Sequence, residues 1–538
     1  MRSAGALHRL LDVLPVFDGD SRITTRFTLA PGSHFDVDAL AALEQSGART
    51  LAWEEALRTR HDLVLAASPK GELRRLSGPR ALLPHGAGFN KAINKDGSPG
   101  IPSGLDPHYL LSDGEPWADL HALAHEEQVA RLTRYCPSAS GRAAVVGDPT
   151  LDRVLASVPY RDGFREALGT GPRRLVVLTS TWGPESLLAR RPALPAELSG
   201  VLPHDAFQIA LVLHPNEYSR TGRFDLSRRL APALAAGLVL ARPYEEWAAL
   251  LIAADAVVTD HGSSALYAAA LGHPVIGAYD GGHELTPGSP MARLLDAVPR
   301  LTSASGLEAA LLAARTVDTR APAAGAFAQQ GQALPLLQKE LYRMLALRPP
   351  SGSLAAPAFP RPATAPARPA AFAVRTDVAG QRVTVQRFPA HTQEPVHHLA
   401  AEHPVAGPRH VQSSAVLWRR AGGGTAPGPH SVVWTAAGWT SHALAEAPGC
   451  RTAAAVLTPR RCLVRHRTAG LISIRVEPHR EGGRVAHADP TAVVSAVHAW
   501  LGARADCSLP VSLVCDTGPV AVCVSLGPAH ADDLDYEL

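Results

Sequence analysis

The chain has 538 residues, more than one hydrophobic core organises, so two or three domains are expected. Its 52 basic residues against 49 acidic ones leave a formal charge of +3, which gives nucleic acid no electrostatic claim as the main partner. The six cysteines form no C-x-x-C pair and no zinc spacing, and no stretch resembles a signal peptide or approaches the ~20 apolar residues of a membrane span. The expectation is a cytoplasmic protein with reduced thiols, able to meet an anionic ligand or to touch the inner face of the membrane peripherally.

In chain order, "AGALHRLLDVLPVF" reads as a helix with no strand before it, so either the first sheet lacks its usual first strand or the true start lies upstream of Met1. Residues 23–31 then read as a strand, 36–47 as a helix closed by Gly47, and "RTLAWEE" as a strand. Strands at 61–69 and 80–86 flank a short basic helix, and "RAAVVGDP" closes the segment. A second set follows at 173–182, 208–216, 237–243, 255–262 and 274–280. Apolar strands alternating with amphipathic helices mark parallel α/β units, so the expected fold is α/β with two tandem Rossmann-like domains, 1–155 and 156–345. Residues 346–371 carry seven prolines between Pro349 and Pro369 and read as a semi-rigid linker. Residues 372–538 read as a small α+β domain of unknown role, with strands at "SAVLWRR", "SVVWTAAGW", "GLISIRVEP", "PVSLVCD" and "VAVCVSLG" and one helix capped by Asp489.

Polar residues gather at the strand-to-helix joints: His85-Gly86, Gly147-Asp148-Pro149, Thr179 to Trp182, His214-Pro215-Asn216, and Asp260 to Ser264. In doubly wound folds ligands bind at such joints, where free helix N–H groups favour anions. Each motif alone is explained by capping or turn formation. Their agreement on one edge of two sheets points to a shared crevice.

In that order, "PHGAGFNK", "GDPTLDRVL", "TSTW", "LHPN" and "TDHGSSALYAAALGHPV" resemble the motif series of the CDP-glycerol glycerophosphotransferases, teichoic-acid-type polymerases and primases of the glycosyltransferase type-B fold. UDP-N-acetylglucosamine 2-epimerases are relatives of the same architecture. The resemblance covers roughly residues 1–345. It implies His85 as general base towards an acceptor hydroxyl, a task suited to an imidazole of pKa near 6.5. It implies His214, with Pro215 beside it, at the nucleotide phosphates. Gly86, Lys91, Thr181, Asp260, Gly262, Ser263 and Ser264 would line the donor phosphates, with Ser263 and the Gly262 backbone foremost. The family carries Asp-Tyr-Ser-Ser and an acidic residue seven positions after that Asp. Here those places hold His261, Gly262, Ser263 and Tyr267, and the epimerase pair of glutamates is replaced by Leu266 and Tyr267.

The resemblance implies attack by an acceptor hydroxyl, such as a lipid-linked alcohol, on the β-phosphorus of a CDP-activated alcohol, with release of CMP. It implies no cofactor, and the sequence shows no carboxylate cluster for magnesium. Two other readings stay open at this point: a nucleotide-sugar transferase or 2-epimerase-like enzyme, and a catalytically weak protein that binds a nucleotide or surface polymer. The oligomeric state is not legible. No P-loop or dinucleotide fingerprint occurs, and "AGGGTAPG" reads as a loop. His121 and His125 read as an exposed helix face, and the five histidines of 391–410 lack metal-site spacing.

Overall fold

A computed structural model describes the chain except for residues 33–42, 45, 93–96, 245, 365–367, 390–395, 423–429 and 505–507. Most of the helix expected at 36–47, Cys507, part of the histidine-rich run and most of the "AGGGTAPG" loop fall outside the described residues.

Four short strands, Val64–Ala66, Arg80–Leu82, Leu120–Leu123 and Ala143–Val145, lie side by side in chain order, all parallel. Their side chains alternate between two cores. Ala81, Leu120 and Ala122 join the opening helix Ala4–Leu11 on one face, whereas Leu82 and Leu123 join Trp53, Leu73 and Leu132 on the other. The third strand was read in the sequence as a helix face. His121 instead sits buried on that strand, and His125 caps the next helix, Glu126–Tyr135, by accepting from Glu127 N–H at 3.0 Å. A pair of histidines four apart mimicked helical periodicity across a strand-to-helix joint. Two further expectations fail: 23–31 forms only an isolated bridge between Phe27 and Thr50, and "RTLAWEE" enters the helix Trp53–Arg58, whose first turn carries Glu54 and Glu55.

The second sheet is also wholly parallel. Its order is Val275–Gly277, Ala256–Thr259, Arg174–Ser180, Phe207–Leu213, Val239–Leu240. Leu175 and Val177 enter one helical layer and Val176 and Leu178 the other. A sheet covered on both faces needs continuous apolar strands, as these are. The helix Ala333–Met344 leaves this half of the chain and packs Leu334, Leu337 and Leu341 into the core built by the opening helix.

The described residues of the Pro-rich stretch pack against the α/β body. Phe359 N–H donates to Ser157 Oγ at 2.9 Å, its ring stands 6.1 Å from that of Trp247, and the Arg153 guanidinium lies 4.0 Å over it. Glu246 accepts from Ala363 N–H and Thr364 N–H at 2.8 and 3.1 Å, and Arg22 donates to Arg348 O at 2.8 Å.

Beyond it, the expected small α+β domain is a closed nine-stranded barrel. Side chains from all nine strands meet Val493, Val494, Ala496, Val497, Trp500 and Leu501 of the helix Pro490–Gly502, which fills the interior. "SVVWTAAGW" is not a strand. Thr435 accepts from Gly438 N–H at 3.1 Å and starts the helix Ala436–Glu446, which packs Trp439 on the outside of the barrel. Among the described residues no helix is long and apolar enough to cross a membrane.

Candidate active site

In the second sheet the strand order reverses beside Arg174–Ser180, so its loop and that of Ala256–Thr259 diverge and leave a crevice at their C-terminal ends. Thr179 Oγ1 donates to Thr259 Oγ1 at 2.7 Å and fixes the strand ends together. The crevice faces the loop after Arg80–Leu82 in the first unit, and the two enclose a cavity of about 680 Å³. His85, Gly86, Lys91, Thr181, His214, Pro215, Gly262, Ser263 and Ser264 all line it. A Cβ on Gly86 would stand 3.2 Å from Ser263 Oγ, so this glycine permits the loops of the two units to meet.

Asp260 does not line the cavity. Its carboxylate is fully buried and accepts from Thr181 N–H (2.9 Å), Leu187 N–H (2.8 Å) and Gly262 N–H (2.8 Å). It shapes the loop of His261, Gly262 and Ser263 from behind, and it takes the Gly262 N–H that the sequence assigned to a ligand. Burial pushes its carboxyl upward, which the nearby His261 and those three bonds oppose. Ser263 and Ser264 begin the helix Ser264–Ala270, whose own bonds leave their N–H groups unused.

His214 caps the helix Pro215–Thr221, its Nδ1 accepting from Asn216 N–H at 3.1 Å. That bond assigns the proton to Nε2, which is left as a hydrogen-bond donor. Burial first, and then the nearness of His85 and Lys91, lower its pKa to about 3, which keeps the ring neutral with Nε2–H as a donor. His85 is open to the water of the cavity yet surrounded by protein, and this desolvation lowers its pKa, with Lys70 and Arg9 adding to the effect. It is therefore unprotonated at neutral pH, the form a general base requires.

The walls are cationic. Arg2, Arg9, Lys70, Lys91 and Arg242 line the cavity, and Asp12 is the carboxylate among the described lining residues. Arg9 holds the architecture rather than a ligand. It binds both oxygens of Asp148 at 2.7 Å, Thr150 Oγ1 at 2.5 Å and Pro84 O at 3.3 Å, so the "GDPT" motif is tied to the residue preceding His85. Burial opposes the Arg9 charge, but Asp148 outweighs it and holds the guanidinium above its ordinary pKa. The Tyr267 hydroxyl donates to Asp148 Oδ2 at 3.2 Å, so the residue at the family's acidic position is engaged with a carboxylate that already carries an arginine.

Sequence reasoning missed Glu284. It lies in the turn "GGHEL", where nothing periodic marks it, and Oε2 is 2.7 Å from Lys91 Nζ and 3.1 Å from His261 Nε2. Burial pushes the Glu284 carboxyl up, but these hydrogen bonds and the Lys91 charge hold it below its ordinary value. His121 was placed on the wrong element and also lines the cavity; burial lowers its pKa to about 4.

No family model and no curated protein matches the chain. Among solved structures it is similar to a variant of the wall teichoic acid polymerase TagF, at 14% identity and a TM-score of 0.45 over 63% of this chain and 85% of that one. It is also similar to a UDP-GlcNAc 2-epimerase from Neisseria meningitidis bound to UDP-GlcNAc (14%, TM-score 0.40, 64% and 97%). A third is a putative UDP-N-acetylglucosamine 2-epimerase from Listeria monocytogenes (14%, TM-score 0.42, 66% and 98%).

Proposed function

We propose that the two α/β units are the halves of a type-B transferase that moves a phospho-alcohol group from a CDP-activated donor to an acceptor hydroxyl in cell-surface polymer synthesis. The observation that carries this reading is the meeting of His85 and His214, one from each unit, in a single cavity whose walls are cationic. The acceptor oxygen attacks the β-phosphorus while its proton passes to the His85 imidazole. The bond from that phosphorus to the bridging oxygen breaks, and CMP leaves with the electron pair. His214 Nε2–H, Ser263 and the first-turn N–H groups donate to phosphate oxygens on which charge accumulates, and Lys91 adds a positive charge. Thr181, Ser264, Pro215 and Gly86 shape the same wall.

Calorimetry with CDP-glycerol, CMP, UDP and UDP-N-acetylglucosamine tests the donor. Saturating CDP-glycerol at about 100 times its Kd stabilises the fold by about 2.7 kcal/mol if the reading holds. Binding of UDP-sugars in its place transfers the assignment to a nucleotide-sugar enzyme, and binding of none of the four removes the transferase reading. Where CDP-glycerol binds, CMP release is abolished in His85→Ala; wild-type release in that variant removes the general-base role.

A further inference from the structure

Lys91, Glu284 and His261 form a hydrogen-bonded cluster that joins the two α/β units beside the cavity. One carboxylate oxygen, Glu284 Oε2, serves both Lys91 Nζ at 2.7 Å and His261 Nε2 at 3.1 Å. Lys91 Nζ also donates to Trp182 O at 3.4 Å and stands 4.9 Å from the centre of the Trp182 ring. Backbone bonds fix the partners: Ala92 N–H donates to Glu284 O and Thr286 N–H to Asn90 O, both at 2.8 Å. His261 is fully buried, and Gly281, at φ +77°, passes flat against its ring; a Cβ there would lie 2.3 Å from the ring. Among the described residues the other ring nitrogen, Nδ1, has no partner, so Glu284 supplies the side-chain hydrogen bond of the imidazole.

We infer that Glu284 and His261 are positioning residues for Lys91, holding its ammonium against the cleft wall at reduced effective charge so that it meets a phosphate in one orientation. The inference rests on the reading of the cleft as a phosphoryl-transfer site. A lysine on its four-carbon stem carries about 2 kcal/mol of rotamer entropy, and an untethered one follows a bound phosphate rather than the transition state. Tethering removes that freedom before the ligand arrives, at the expense of attraction. The consequence is a pair of opposite signs. Loss of the Glu284 charge tightens binding of a simple anion and slows transfer, whereas a merely structural role would weaken both.

The test uses the full-length chain and inorganic pyrophosphate as the calorimetric probe. Glu284→Gln binds pyrophosphate several-fold more tightly than wild type, Lys91→Met several-fold more weakly, and the double variant matches Lys91→Met. Weaker or unchanged binding in Glu284→Gln, or additive effects in the double variant, overturns the inference. A second measurement needs no ligand. Lys91 is one of four lysines in the chain, and competitive acetylation read by mass spectrometry reports its exposure against Lys339 on a surface helix. Lys91 is acetylated several-fold faster in Glu284→Gln and in His261→Phe than in wild type, and equal rates overturn the inference. Failure of pyrophosphate to bind wild type counts against the phosphoryl-transfer reading, and the acetylation rates still decide the role of Glu284.

Discussion

Arg387, on a barrel strand, binds the two carboxylate oxygens of Asp205 through Nε and Nη2 at 2.7 and 2.6 Å, directly before the strand Phe207–Leu213 of the second sheet. Asp489 (3.0 Å) and Thr491 Oγ1 (2.5 Å) complete the shell, and His204 N–H donates to Arg387 O at 2.8 Å. The barrel is thus fixed at the N-terminal end of a strand whose C-terminal end presents His214, roughly 25 Å away along the chain.

Arg387→Ala leaves Asp205 without its hydrogen-bonded cation and Asp489 with Arg420 alone, and lowers stability by about 3–5 kcal/mol. Scanning calorimetry is expected to show the barrel melting apart from the α/β body, while nucleotide affinity is unchanged. A single cooperative transition at the wild-type temperature would contradict this.

Tyr267→Glu restores an acidic residue where the resembled family has one, but here it meets Asp148 rather than open space. The like charges lower stability by about 2–4 kcal/mol and donor affinity does not improve. Tyr267→Phe removes one hydrogen bond and lowers stability by about 1 kcal/mol. Thermal melts and donor titration of the two variants check both statements.

His214 has two separable tasks, capping through Nδ1 and donation through Nε2. His214→Ala loses about 1 kcal/mol of stability with the cap. His214→Asn recovers that stability, yet CMP release falls about a hundredfold in both variants, as for a lost phosphate donor. Full recovery of release in His214→Asn would show that only the cap matters.

The barrel carries a pH dependence of its own. His398 and His466 flank His498, with ring centres 4.8 and 6.1 Å from it, and Thr452 Oγ1 lies 2.8 Å from His498 Nδ1. Burial, then neighbouring His498 and His397, lower the pKa of His398 to about 3; burial, then His466 and Arg451, lower that of His498 to about 4. Between these values and the unfolded value near 6.5, the unfolded chain binds more protons. Their contribution is full above pH 6.5 and is lost as pH falls towards 4, by up to about 1.4 kcal/mol per pH unit per histidine. Barrel melting temperatures at pH 7, 6 and 5 should fall in that order, and the fall should be smaller in His398→Phe.

The long buried strands were legible because both faces are apolar, and the joints at their ends carried nine of the ten expected site residues to one cavity. Asp260 was expected at a ligand because sequence records the residue type and not its direction; its carboxylate points back into three backbone N–H groups. Glu284 was invisible because its partners lie 193 and 23 positions away, on other loops. The barrel was hidden for a related reason. Closure depends on pairings such as Arg382–Val385 with Val514–Thr517, which no local pattern encodes.

The Pro-rich stretch is anchored at Arg22 near the start of the chain, at Ser157, the last residue of the "GDPT" helix, and at Glu246 beside the second sheet. Hinged enzymes of two halves open by an angle that the crossing segments allow. Here the Pro-rich stretch makes a third crossing, besides the chain entering the second unit and the helix Ala333–Met344 returning from it. If the cleft is the transfer site proposed above, the opening that admits an acceptor beside His85 is restrained by a segment that contributes no side chain to the described lining of the cavity.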